Sequence, residues 1–204
     1  MAFSDYKTIA QVQKEFTIVY QESRFLTAQA VVPTAPFLQE LAFSLEYIDV
    51  YTSEAARTEA IIFPILREVY KTYHEHYSFW IQKPIVFNDK LSGVPDYVVA
   101  TRSALGKTVL EQPLVIIAEA KKNDFEQGWG QCLVELVAAQ KINGTTEVPI
   151  YGIVTDGKLW EFGSLQYATF TKNNESFTVD HLPVLFGVLH NVFRLLIQAS
   201  ANQP

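Results

Sequence analysis

The sequence predicts an α/β protein, and three stretches carry that prediction. Leu114 to Ala118 is an apolar, β-branched run of the length of a buried strand. Directly after it, Phe125, Trp129, Leu133, Leu136 and Val137 recur at helical spacing on one face. VPIYGIVTDGKLWEF then reads as strand, turn, strand, with Asp156-Gly157 as a two-residue hairpin signal. Strand, helix and strand in succession define the α/β class.

The remaining elements follow in order. Residues 5–16 predict a short helix, capped by Ser4 or Asp5, with Ile9, Val12 and Phe16 as its apolar side. Residues 17–34 are ambiguous, and a second helix is expected from near Thr34 to about Glu46. The first 50 residues carry no visible chemistry and read as a cap on the core or an interaction arm. Ser53 is a good cap for a helix running to about Tyr73, with Ile62, Leu66, Val69 and Tyr73 as its stripe. Pro64 should kink that helix or restart it. Residues 78–87 predict a strand, with Pro84 marking an edge or bulge. NDKLSG is a turn, Val94 to Ala100 a second strand, and residues 103–112 a loop or hairpin arms around Gly106. Asn143-Gly144 ends the central helix. A strand from Tyr167 to Thr171 and an amphipathic helix from His181 to Ala199 complete the chain.

Composition narrows the function classes. The chain has 204 residues, 49% of them hydrophobic, enough for the core of one domain and too apolar for disorder. Net charge is −6, which argues against a protein that coats nucleic acid non-specifically. The lone Cys132 excludes an intramolecular disulfide framework and a cysteine-rich zinc site, and the cytoplasm is the expected compartment. No uninterrupted apolar run reaches membrane-spanning length, and the N-terminus lacks a signal-peptide pattern.

The chemistry concentrates in two short motifs. Pro95-Asp96 stands at the start of one strand, and Glu119-Ala120-Lys121 at the end of another, 23 residues on. Strand alternation puts Glu119 and Lys121 on the same face. A carboxylate and an ammonium at the end of a buried strand are costly unless paired or coordinated. Asp96 and Glu119 are hard oxygen ligands suited to Mg²⁺. Gln131 and Glu135 lie one turn apart on a flank of the next helix. Lys122 points to the opposite face and reads as solvated.

These residues resemble the signature of the PD-(D/E)XK nuclease superfamily. Gln131 matches a glutamine found in the following helix of several branches. SEAARTEAIIFPIL resembles the helix before the first motif strand in the N-terminal nuclease module of type I restriction-enzyme R subunits. The resemblance covers about residues 53–165. It implies a restriction-endonuclease-like core, a central mixed β-sheet flanked by helices, here with an N-terminal helical extension over residues 1–50 and a C-terminal helix over 179–199. It implies a Mg²⁺- or Mn²⁺-dependent endonuclease acting on DNA. Asp96, Glu119, the Ala120 carbonyl and Glu54 would form the metal shell, with Glu59 the second candidate for the helix glutamate. Lys121 would orient or deprotonate the attacking water or hold the phosphate. Gln131 would position Lys121 or touch the nucleic-acid backbone. The expected partner is nucleic acid, with a possible homodimer and no membrane. The rival expectation is a nuclease fold that no longer cuts and binds nucleic acid or a protein.

Other residues read as structural. Glu135 is expected to be solvated or to stand behind the ligands. His74 and His76 diverge on a helix end and read as surface, and His181 and His190 as structural. Trp129 and Trp160 read as core, although Trp129 could line a DNA groove. Cys132 reads as buried and inert, and Gly128 with Gly130 does not make a phosphate loop.

Overall fold

A computed structural model describes residues 3–121 and 124–201 of the chain. Phe3–Asp5 form a 3₁₀ turn, and helix α1 runs over Ile9–Phe16. Its cap is Thr8, not Ser4 or Asp5. The Thr8 hydroxyl accepts from the Gln11 N–H, and the Gln11 side chain accepts from the Thr8 N–H, a reciprocal capping box whose T-x-x-Q spacing marks Thr8 and is absent at Ser4 and Asp5. Strand β1, Val19–Ser23, occupies part of the ambiguous stretch. Helix α2, Ala35–Tyr47, begins at its cap Thr34.

The helix expected from Ser53 to Tyr73 is three joined pieces. Helix α3, Glu54–Arg57, is capped by the Ser53 hydroxyl. A π-helical turn, Thr58–Ile62, follows, and then helix α4, Phe63–Tyr70. Pro64 has no N–H, and its ring would press on the carbonyl four residues back. The wider turn, in which the Phe63 N–H reaches the Thr58 carbonyl, relieves that pressure without ending the helix.

Strand β2, Tyr77–Ile81, stops at Gln82, whose φ is +46°. The strand expected over 78–87 therefore splits, and β3, Ile85–Val86, pairs with β4, Ser92–Gly93, in a separate small hairpin. Strands β5, Tyr97–Thr101, and β6, Leu114–Ala120, lead to helix α5, Phe125–Asn143. Gly144, with φ +68°, caps that helix in the left-handed region that glycine tolerates. Strands β7, Ile150–Thr155, and β8, Leu159–Gln166, form the expected hairpin. The Asp156 N–H bonds the Leu159 carbonyl, so Gly157 and Lys158 occupy the tip, one residue later than expected. Tyr167 takes φ +52° and delays the next strand, β9, to Thr169–Asn173. Strand β10, Phe177–Thr178, and helix α6, Leu182–Ala201, finish the chain.

Eight strands form one mixed sheet in the order β1-β9-β8-β7-β6-β5-β2, with β10 also pairing β8. The β1–β9 and β6–β7 pairs are parallel and the rest antiparallel. Helices cover both faces. Residues of α2, α4 and α6 build one core, with Leu41, Ile65 and Leu189 among them. Residues of α1 and α5 build the other, with Val12, Leu133 and Val137. The first 50 residues take part in both: Leu26, Phe37 and Val50 in one, Phe3, Tyr6 and Ile18 in the other.

Among the described residues, one helical stretch, Val179–Ala199, is long and apolar enough to cross a membrane by length and composition alone. Its Leu185, Phe186, Leu189 and Val192 sit in the first core. Trp129, Trp160 and Cys132 are buried, and His74 and His76 are exposed. His190 meets the Tyr73 hydroxyl through Nδ1 at 2.9 Å. The expectation for Lys122 falls outside the described residues.

Candidate functional site

Alternation along β6 decides where its charges go. Ile116, Ala118 and Ala120 join the core beneath α4 and α6, whereas Ile117 joins the core beneath α5. Glu119 and Lys121 share the Ile117 face and so project toward α5. Strand β5 runs antiparallel to β6 with Tyr97 opposite Ala118. That register brings Asp96, just before β5, beside Glu119.

Backbone hydrogen bonds lock the two motifs together. The Ala120 N–H donates to Asp96 Oδ2 at 2.8 Å, and the Asp96 N–H donates to Glu119 Oε1 at 3.3 Å. Lys121 Nζ donates to Glu119 Oε2 at 3.1 Å. The Lys121 N–H bonds the Thr155 carbonyl at 2.8 Å, so its backbone stays in the sheet where the side chain leaves it. Gly128 makes the room. A Cβ there would lie 2.7 Å from Val154 Cγ1 and 3.0 Å from Lys121 Cγ. The glycine lets α5 ride close over β7 and the Lys121 stem.

Helix α5 adds a third carboxyl, Glu135, for which the sequence allows a place either in solvent or behind the ligands. Glu135 is not solvated; it is fully buried. Gln131 Nε2 donates to Glu135 Oε1 at 3.3 Å, so Gln131 meets Glu135 rather than Lys121. The other oxygen, Glu135 Oε2, is buried and meets no nitrogen or hydroxyl donor. Its carboxyl nonetheless lies close enough to Glu119 for the two groups to act on each other's charge. The sequence did hold a signal for this. Glu135 stands one turn after Gln131 on the same flank, although nothing local says that the flank faces the sheet.

The electrostatics follow from burial. Burial, then the Asp96 charge, pushes Glu119 up to about 7. Burial, then Glu119, holds Glu135 well above the ordinary carboxylate range. Burial raises Asp96 as well, against the Ala120 N–H and Lys121. Lys121 is also raised: burial disfavours its ammonium, but Glu119 and Asp96 outweigh that cost, with a contribution from Glu54.

The two helix glutamates take different parts of the site. Both are exposed. Glu54 acts on Lys121 through its charge, without a described contact. Glu59 lies beyond the start of the π turn and lines a cleft of about 140 Å³ with Asp96, Tyr97 and Gln82. Trp129 turns the other way, its Nε1 donating to Glu161 at 2.6 Å with Lys172 over the ring.

The donor set suits a hard divalent cation. Asp96 and Glu119 offer carboxylate oxygens whose mutual repulsion a cation would relieve. Among the described residues no group of three or more His, Cys, Asp and Glu converges as a metal site. Asp96 and Glu119 fall short of such a group, and a cation held there with the Ala120 carbonyl would need water or phosphate for its remaining positions.

The sequence matches no known protein-family model and no curated protein. The class that stands is an α/β protein with a mixed eight-strand sheet flanked by helices and an N-terminal helix.

Proposed function

We propose that this chain is a restriction-endonuclease-like, Mg²⁺- or Mn²⁺-dependent endonuclease that hydrolyses DNA phosphodiesters. The observation that carries the reading is the convergence of Asp96, Glu119 and Lys121 at one end of β5 and β6, tied by three hydrogen bonds. Asp96, Glu119 and the Ala120 carbonyl would hold the cation, and the Glu54 charge favours the Lys121 ammonium. When bound, the cation lowers the pKa of a coordinated water and neutralises charge on the phosphate.

Lys121 works as a point charge rather than as a base. Its raised pKa keeps it an ammonium at neutral pH, so it has no free lone pair to accept a proton. It donates to a phosphate oxygen and orients the attacking water. Glu59, which lines the same cleft as Asp96, would orient solvent there.

The test is cleavage of supercoiled plasmid and of single-stranded DNA with Mg²⁺ or Mn²⁺. Wild type should nick in a metal-dependent way, and Lys121→Ala and Asp96→Ala should each lose roughly 10²–10³-fold in rate. Cleavage that survives both Asp96→Ala and Glu119→Ala overturns the assignment.

One observation favours a second reading, a nuclease fold that binds nucleic acid or a protein without cutting. Glu119 is 1% exposed, and both its oxygens are already engaged. In that case Mg²⁺ and Mn²⁺ should leave the melting temperature unchanged.

A further inference from the structure

Gln82 stands in a backbone conformation that glutamine does not favour. Its φ is +46°, in the left-handed region that glycine and asparagine hold at less cost. Its N–H donates to the Asp96 carbonyl at 2.9 Å, which ties this turn to the proposed cation site. The residue is exposed, and its side-chain amide makes no hydrogen bond among the described residues. The fold itself therefore draws nothing from that amide.

Gln82 lines the cleft of about 140 Å³ beside Asp96. A cavity of about 150 Å³ takes one benzene ring, so the cleft has room for a single ring. Part of its lining is apolar. The Phe63 and Tyr97 rings lie nearly parallel, 13° apart in plane, and Ile81 is 56% exposed. The rest is polar but carries no cation: Asp96 and Glu59 bring carboxyls, and among the described residues no lysine or arginine lines the cleft. Carboxyls repel a phosphate. A flat ring with a hydrogen-bonding edge suits this lining, and a glutamine amide offers such an edge both a donor and an acceptor.

We infer that the cleft formed by Gln82, Phe63 and Tyr97 receives one unpaired nucleobase of the nucleic acid, its edge read by the Gln82 amide. The inference rests on the nuclease reading and narrows its substrate to single-stranded or locally opened DNA. Asp96 borders both the proposed cation site and the cleft. A nucleotide whose phosphate meets the cation can thus place its base in the cleft. A base within a duplex has its edge paired and its faces stacked, and reaches such a pocket only by leaving the stack. Aromatic side chains are the usual platform for an unpaired base.

The experiment measures cleavage, with Mn²⁺, of short single-stranded homopolymers of adenine, cytosine or thymine nucleotides and of the same strands in duplexes. It compares wild type with Gln82→Gly, with melting temperature as a fold check. Wild type should cut single strands with a kcat/KM about 10-fold or more above that for duplexes, and should favour one base by about 10-fold. Gln82→Gly should lose the base preference through a raised KM, with a melting temperature unchanged or higher. A filler role for Gln82 would not move the base preference. Gln82→Gly with the wild-type preference, or a wild type that shows none, overturns the role of Gln82. Duplexes cut as readily as single strands overturn the cleft as a base site. Each of these results leaves the nuclease reading intact. If wild type cuts no strand at all, the nuclease reading fails and this inference with it. Should Gln82→Gly not fold, Gln82→Asp replaces it, because aspartate tolerates the same backbone and lacks the amide donor. A lost base preference in that variant supports the inference, and a retained one overturns it.

Discussion

The two faces of the sheet treat buried carboxylates in opposite ways. On the face covered by α2, α4 and α6, Glu68 is buried, but Lys71 and Thr34 both donate to it. Burial pushes its pKa up, those partners outweigh it, and the net shift is downward. Arg57, also on that side, is held by the Asp156 and Tyr51 carbonyls. On the α5 face, Asp96, Glu119 and Glu135 are all raised, and Lys121 pairs with Glu119 among them. A buried charge whose partners suffice serves the fold. A buried cluster whose partners fall short is held in place by the fold and points to function.

Breaking the close approach over Lys121 should have the largest effect on this contrast. Gly128→Ala places a Cβ against Val154 and the Lys121 stem. It should cost about 1–3 kcal/mol in urea unfolding through overpacking. It should also displace Lys121 and reduce any cleavage. Unchanged stability would show that α5 shifts outward without strain.

The pH dependence sharpens the contrast next. The native pKa of Glu119 lies above its unfolded value, so the native state keeps a proton that the unfolded chain gives up between about 4.5 and about 7. The contribution of this group is therefore full below that window and declines as pH rises through it. Asp96 shifts in the same direction. His190, lowered by burial and by Arg194, acts oppositely and gains stability as pH rises through its unfolded value. Comparison with Glu119→Gln isolates the carboxylate. From about pH 5 to about pH 8, metal-free wild type should lose on the order of a few kcal/mol relative to that variant. Parallel melting curves for the two proteins across this range would refute it.

The smallest effect is expected on the satisfied face. Glu68→Gln should cost about 1 kcal/mol, because a neutral amide still meets Thr34 and only weakens the contact to the exposed Lys71. Cleavage should be unaffected. A large loss of cleavage would mean that the two faces are coupled.

Much of the site is legible in the order of residues alone. Asp96, Glu119 and Lys121 stand out because a charge at the end of an apolar strand needs a reason. Gln131 stands out less, and its bond to Glu135 departs from the partner expected for it. Glu135 reads equally as solvated or as standing behind the ligands, and only its burial under the packed helix decides against solvent. The π turn is half-legible: Pro64 announces an interruption, but not that widening rather than kinking resolves it.

Local sequence suffices for the strand–helix–strand unit of β6, α5 and β7, and for the shared face of Glu119 and Lys121. Those features depend on periodicities of two and of 3.6 residues, which neighbours along the chain enforce. Everything that long-range register controls was left to tertiary packing. Strand β1 joins the sheet through β9, with Gln21 bonding Thr171 across 150 positions of sequence. Asp96 meets Glu119 because β5 and β6 pair in that register. Glu135 became part of the site because α5 packs on β6 and β7 closely enough to bury it, and no local pattern records that distance.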